Sequence, residues 1–235
     1  MDDVEVSLDR LAERWRLPAA APQQLRRLLA LVGGEGSAPT TVREPQRVID
    51  DHLADSLVAL DVRDLVWQDS TIADLGAGAG FPGLPLAIAL PSSDVFLIES
   101  NARKCQFLLR AARECELANA HVVRERAELW RDGLSRCDIV VARALAALPV
   151  VAEYAAPLLR VGGALVAWRG RRDPTEEAAG ARAAAQLGLE PRPPTPVSPY
   201  EAAEHRHLHV MVKVGDTPAK YPRRPGVARK HPLGV

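Results

Sequence analysis

The segment Thr71-Ile72-Ala73-Asp74-Leu75-Gly76-Ala77-Gly78-Ala79-Gly80-Phe81-Pro82-Gly83 constrains the chain more than any other. A short apolar run carries an acid near its end. Three glycines follow at alternate positions, and Pro82-Gly83 opens an apolar run to Leu90. That order predicts a strand, a tight turn and a helix start. The glycines admit positive φ and let a ligand approach the backbone with no Cβ atoms in the way. The helix start offers unpaired N–H groups to an electron-rich ligand.

Two ligand classes use such a turn. Gly78-x-Gly80-x-x-Gly83 fits the dinucleotide fingerprint. Asp74, two residues before Gly76, fits a different ligand better, because an acid at the strand tip suits an ammonium group and repels a pyrophosphate. S-adenosylmethionine carries the former and nicotinamide dinucleotides the latter. A second strand, Asp94-Val95-Phe96-Leu97-Ile98, runs into Glu99, placed to accept from ribose hydroxyls. Both cofactors have that ribose, so Glu99 supports an adenosine ligand without choosing between them.

The chain has 235 residues, 47% of them apolar, enough for one α/β domain with a short appendage. Its charges sum to zero but are unevenly placed. Beyond Thr217 lie Lys220, Arg223, Arg224, Arg229 and Lys230 with no acid, a basic tail suited to phosphate. Three cysteines, Cys105, Cys115 and Cys137, lack metal-ligand spacing and are odd in number, which points to a reducing cytoplasm. No apolar run reaches the ~18 residues that span a bilayer.

Apolar residues at 4, 8, 11, 12 and 15 predict one helix, and residues 24–32 a second. A loop is expected over Gly33-Gly34-x-Gly36. A third helix over 47–60 places His52, Asp55 and Ser56 together. A hydrolase triad is excluded, because three members on one helix do not converge on one carbonyl; a helix face lining a cleft fits instead. Strands are predicted at 71–75, 94–99, 120–124, 138–142 and 163–168, with helices at 82–90, 101–116, 146–159 and 173–187. The alternation predicts a mainly parallel sheet, helices on both faces and ligands at the strand C-termini. A last strand is expected over 205–214. Its histidines 205, 207 and 209 share a face at ~7 Å spacing, too far apart for one ion. No metal is expected. Pro191 to Pro199 reads as an extended linker or loop before the last strand.

Arg126-Ala127-Glu128 follows the third strand. Glu128, or the backbone there, suits an adenine amino group; equally, Glu128 suits a helix N-terminus. Arg143 at the tip of an apolar strand is costly unless paired or ligand-facing, and is read as functional. In the tail, Tyr221 offers a stacking face and the basic residues grip RNA phosphates.

These motifs together resemble the bacterial RsmG (GidB) family, methyltransferases of guanine N7 in 16S ribosomal RNA. The resemblance is carried by Thr41-Val42-Arg43-Glu44-Pro45, His52-x-x-Asp55-Ser56, the glycine turn through Pro85, Arg103-Lys104, Phe107-Leu108, Ala142-Arg143-Ala144, Arg206-His207-Leu208 and the tail from Lys220 to Gly226. It implies a Rossmann-like class I S-adenosylmethionine-dependent methyltransferase fold: α/β, with a mainly parallel seven-stranded sheet and a small N-terminal helical extension. The expected division is a helical cap over 1–62, a catalytic domain over 63–216 and a basic tail over 217–235. The resemblance further implies S-adenosylmethionine contacts at Gly76, Phe81, Ala127, Glu128 and Arg143; Asp74, Gly78 and Glu99 join them from the turn and strand ends. The acceptor it implies is one guanine (position 527) of 16S ribosomal RNA, within the small subunit or an assembly intermediate. A cytoplasmic monomer is expected.

Guanine N7 has a lone pair and no proton to lose, so no general base is assigned. Arg143, His52, Asp55 and Arg169 are the candidates for positioning the substrate. Arg103, Lys104, Lys220, Tyr221, Arg223 and Arg224 are the candidates for holding RNA. The competing readings are a nicotinamide oxidoreductase, a non-catalytic adenosine-binding factor and a small-molecule methyltransferase.

Overall fold

A computed structural model of the chain describes residues 2–34 and 38–235, so part of the expected 33–36 loop lies outside the described residues. Apolar strand sequences bounded by turns build a single sheet. Its strands are β1 (Thr71–Leu75), β2 (Asp94–Ile98), β3 (Ala120–Val123), β4 (Cys137–Arg143), β5 (Leu159–Arg169), β6 (Leu189–Pro191), β7 (Thr195–Pro196) and β8 (His207–Lys213). The order across the sheet is β3-β2-β1-β4-β5-β8-β6, seven positions, with β7 also on the outer edge of β8. The strands from β3 to β5 run parallel, and β8 returns antiparallel to β5. The chain order reverses on either side of β1, which opens a crevice at the tips of β1 and β4.

Helices cover both faces, so alternate strand residues enter two separate cores. Ile72, Leu97, Val141 and Val166 face one side. They pack with α1 (Asp2–Arg14), α2 (Ala21–Gly33), α5 (Gly83–Ala89) and α6 (Ala102–Glu114). Ala73, Val140, Leu165 and Met211 face the other, against α7 (Leu148–Ala155) and α8 (Pro174–Leu187). The N-terminal helices share the first core: Leu8, Leu25, Leu28 and Leu53 are fully buried in it. Burial of each such side chain contributes about 1.5–3 kcal/mol. The boundary expected near residue 62 therefore falls within a continuous core.

The expected third helix is a composite rod. Glu44 caps α3 (Pro45–Val48) by accepting from Gln46 N and Arg47 N, and Pro45 occupies the first turn. A π-helical segment, Ile49–Ala54, follows, then α4 (Asp55–Leu57) and a 3₁₀ turn, Val58–Asp61. Wide π turns recur at functional sites because they re-aim side chains. This one carries Asp51 and His52 to the crevice, and Asp55 follows directly. Ser56 does not join them: it is buried, and its hydroxyl donates to His52 O at 2.5 Å.

Three expectations change. The proline-rich stretch 191–199 is extended, but β6 and β7 pair it to β8 rather than leaving it a free linker. His205 lies before β8 with φ 53°, so only His207 and His209 share that strand. The basic tail is folded onto the second core, where α9 (Val227–Lys230) lies near α7 and Tyr221 and Ala228 are buried. Among the described residues, no helix is long and apolar enough to cross a membrane.

Candidate active site at the strand tips

The glycine turn is held from beneath. Asp74 Oδ2 accepts from Gly83 N at 2.9 Å. A Cβ on Gly83 would lie 2.2 Å from Leu97 Cδ2 and 2.7 Å from Asp74 Oδ2, so only glycine lets α5 start this close to β1. Above it, Gly76 has φ 69°, a conformation that side chains resist. Glu99 ties the turn to β2: Oε2 accepts from Gly78 N at 3.2 Å and Oε1 from Asn101 N at 2.8 Å. Asn101 in turn caps α6 by accepting from Arg103 N and Lys104 N.

A cavity of about 390 Å³ opens at these tips, walled by Gly76, Glu99, Lys104, Ala127, Glu128 and Ala144, among others. Four expected site residues therefore lie in one wall: Gly76, Glu99, Ala127 and Glu128. Gly78 is outside the wall, its N–H donating to Glu99. Asp74 is not in that wall, contrary to its expected approach to a ligand ammonium. It shares the strand face of Ile72, so it points beneath the turn and is 1% exposed. Lys104, expected on RNA phosphates, instead places Nζ 3.8 Å from Glu99 Oε2 and lines the cavity.

Burial pushes the Asp74 carboxyl up to about 7, against the Gly83 N–H bond and the Arg143 charge, which favour ionisation. With a folded value above the unfolded 3.8, the native state binds the extra proton between about pH 4 and 7. The contribution of Asp74 to stability therefore declines as pH rises through that window. Asp74→Asn removes this decline. The melting temperature of wild type relative to Asp74→Asn should fall from pH 4 to 7 and then level; a constant difference would contradict the assignment.

A second cleft of about 570 Å³ adjoins the first and shares Ala144 with it. Arg143 lies here rather than in the first cavity, drawn by the α4 carboxylate. Its Nη1 donates to Asp55 Oδ2 and to Asp51 O, both at 2.8 Å. Nη2 lies 3.3 Å from His52 Nδ1. The same Nδ1 lies 3.1 Å from Asp51 O, a carbonyl that accepts only from Nδ1–H, and Nε2 lies 3.0 Å from Thr40 Oγ1, whose hydroxyl can donate to it. Burial first, then the Arg143 charge, lowers the His52 pKa and favours the neutral ring. The ring stacks on Phe81 with centroids 4.5 Å apart, so the buried Phe81 lies under the second cleft and outside the wall of the first.

Residues with no role assigned from sequence complete the second cleft. Arg206 Nε lies 3.4 Å from Asp55 Oδ1, without an aligned hydrogen bond. Trp168 Nε1 donates to Asp55 O at 2.6 Å, and Tyr200 OH to Asp51 Oδ1 at 2.7 Å. Arg206 was visible in the Arg-His-Leu motif, whereas Tyr200 sat unmarked beside the prolines. Arg169 pins the loop after β4: Nη2 donates to Ala146 O at 2.7 Å and lies 3.0 Å from Glu176 Oε1.

The tail departs most from expectation. Tyr221 is 9% exposed, so its ring is packed rather than offered to a base. Arg223 is committed to Glu153, which is fully buried on α7: Nη2 meets Oε2 at 2.5 Å and Nε meets Oε1 at 2.9 Å. Lys220, Arg224 and Arg103 remain exposed on the surface. Among the described residues, no group of three or more His, Cys, Asp or Glu is arranged to hold a metal ion.

Comparison with known proteins agrees with this architecture. Residues 23–195 match the model of the GidB family, described as rRNA small subunit methyltransferase G. A relative from Chloroflexus aggregans, named ribosomal RNA small subunit methyltransferase G, is 38% identical over 93% of this chain and 94% of its own length. One of the same name from Deinococcus radiodurans is 41% identical over 90% and 85%. Among solved structures, an S-adenosylmethionine-dependent O-methyltransferase from Thermotoga maritima superposes with TM-score 0.56 at 15% identity, covering 81% of this chain and 72% of that one. An S-adenosylmethionine-dependent methyltransferase from Aquifex aeolicus gives 0.55 at 16%, covering 72% and 94%. At such identities these two speak for the fold alone. The family match over most of the chain and the relatives that span it together settle the affiliation: the chain belongs to the GidB family of small-subunit ribosomal RNA methyltransferases.

Proposed function

We propose that this chain transfers the methyl group of S-adenosylmethionine to N7 of a guanine in 16S ribosomal RNA, acting as a cytoplasmic monomer on the small subunit or an assembly intermediate. The observation that carries the reading is the pair of clefts meeting at Ala144. One suits an adenosine ligand and the other a base.

The residues of the first cleft fit the cofactor. Glu99 presents a carboxylate where ribose hydroxyls would donate, and Ala127 and Glu128 flank the place for an adenine edge. Asp74 Oδ1 is buried without a partner beneath the turn, an acceptor available to a water or polar group there. When bound, the cofactor supplies an electrophilic methyl carbon on a sulfonium. Everything else falls to positioning. Arg143 fixes the floor of the second cleft through Asp55 and Asp51, and burial, then the Arg143 charge, favours the neutral His52 ring. N7 needs no proton removed, and a neutral His52 adds no cation beside a base that gains positive charge. Asp51 and Asp55 offset the arginines around it. Arg169 keeps the loop containing Ala144, where the clefts meet, in place. In-line alignment in a water-poor cleft then provides the acceleration. N7 lies in a groove too deep and narrow in A-form RNA, so a loop or opened segment is the expected target. Arg103, Lys220 and Arg224 are placed on the surface to hold its phosphates without reading sequence.

Glu99→Ala tests the cofactor assignment. Steady-state kinetics should show KM for S-adenosylmethionine raised roughly tenfold or more, through loss of charged hydrogen bonds. An unchanged KM would remove Glu99 from the site.

A further inference from the structure

We infer that the C-terminal segment from Tyr221 to His231 is a wall of the cofactor cleft, and that Arg229 contacts the adenosine part of the ligand. The inference rests on the reading of that cleft as the S-adenosylmethionine site. The sequence presents this segment as a free basic arm, yet three attachments hold it against the strand tips. Arg223 forks onto the buried Glu153 carboxylate and also donates to His231 O at 2.9 Å, closing the segment into a loop. Gly226 N donates to Glu128 Oε1 at 3.2 Å. Arg229 Nη2 donates to Leu145 O at 3.1 Å.

The last two attachments fall on the cleft itself. Glu128 and Leu145 belong to the loops after β3 and β4, and both line the 390 Å³ cavity together with Arg229 and Tyr154. Tyr154 lies among these groups: burial and the Glu128 carboxylate raise its pKa, and Arg229 opposes them. Thus the tail contributes Arg229 to the cavity lining and braces Glu128 and Leu145 beside it. Arg229 is exposed and lines the cavity, so an adenosine entering beside Glu128 would cover it. A planar guanidinium there can lie against a purine face or donate to its ring nitrogens. Lys230, the next residue, is exposed and does not line the cavity. The two neighbouring cations therefore have separate tasks, and only one concerns the cofactor.

The test measures S-adenosylhomocysteine binding by calorimetry to the full chain with no RNA present. Arg229→Met keeps the aliphatic stem and removes the guanidinium; Lys230→Met is its control on the same turn. Arg229→Met should weaken binding about ten- to a hundredfold, the range for a lost charged hydrogen bond. Lys230→Met should stay within about twofold of wild type, and unchanged melting should show that both variants are folded. If Arg229→Met also binds within about twofold of wild type, the inference is overturned, and Arg229 belongs with the residues that meet RNA. If both variants weaken binding equally, a general charge effect replaces the specific contact and the inference is again overturned. If wild type itself fails to bind, the cofactor reading of the cleft falls first, a result distinct from either.

Discussion

Arg143→Ala is expected to lower kcat/KM for methyl transfer on the order of a hundredfold, the loss that a misplacement of about 1 Å produces in an aligned displacement. Arg143 ties together the carboxylate of Asp55, the carbonyl of Asp51 and the ring of His52. Its removal frees the floor of the second cleft while the first is left intact. It also takes the hydrogen-bonded cation from Asp55, whose side chain is only 7% exposed, and leaves it Arg206 at 3.4 Å alone, so stability falls too. Adding Asp55→Asn separates the two effects. The double variant should regain melting temperature, since the buried charge is gone, and should not regain activity. S-adenosylhomocysteine affinity should stay near that of wild type, because Arg143 is not part of the first cavity. Transfer at the wild-type rate in Arg143→Ala would place the acceptor elsewhere.

The largest stability effect is expected at Arg223. Every hydrogen bond described for the Glu153 carboxylate comes from residue 223. Glu153 is completely buried and Arg223 is 24% exposed. Arg223→Ala leaves an uncompensated charge inside the second core, a change that typically costs about 3–5 kcal/mol. For a chain of this size the melting temperature should drop on the order of 10 °C. Replacing both partners, Glu153→Leu with Arg223→Met, should recover most of the loss, because an apolar pair of similar volume leaves no charge to desolvate. A free basic arm would give a different result: Arg223→Ala would leave the melting temperature unchanged.

That contrast also marks where the sequence stopped being informative. The strands were legible because both faces of the sheet are buried, so each strand is an apolar run bounded by turn residues. The expected spans 71–75 and 94–99 fall within a residue of β1 and β2. The placement of Glu99 and Gly76 in one cavity wall was legible because it follows from a local pattern, a strand end and a glycine turn. The aim of Asp74 was not, since the motif marks its proximity to the turn and only strand alternation says that it points beneath. Arg143 was recognised as costly at an apolar strand tip, but Asp55 lies 88 residues away and local spacing does not reveal the pair. The tail failed for the same reason. Five cations without an acid read as a phosphate-binding arm until Glu153, 70 residues upstream of Arg223, is brought beside them. Likewise Tyr200 and Arg206 gain meaning only once the segment before β8 brings them to Asp51 and Asp55.

The central claim is that the adjoining clefts join a methyl donor to N7 of a guanine. Its most direct test incubates the purified chain with methyl-labelled S-adenosylmethionine and small ribosomal subunits from cells lacking this enzyme. The label is then mapped by strand cleavage specific for N7-methylguanine. A single labelled guanine in 16S ribosomal RNA that cleaves under those conditions is the predicted result. Label on a ribose hydroxyl, on an exocyclic amine or on a ribosomal protein, or no label while the cofactor still binds, would contradict the account.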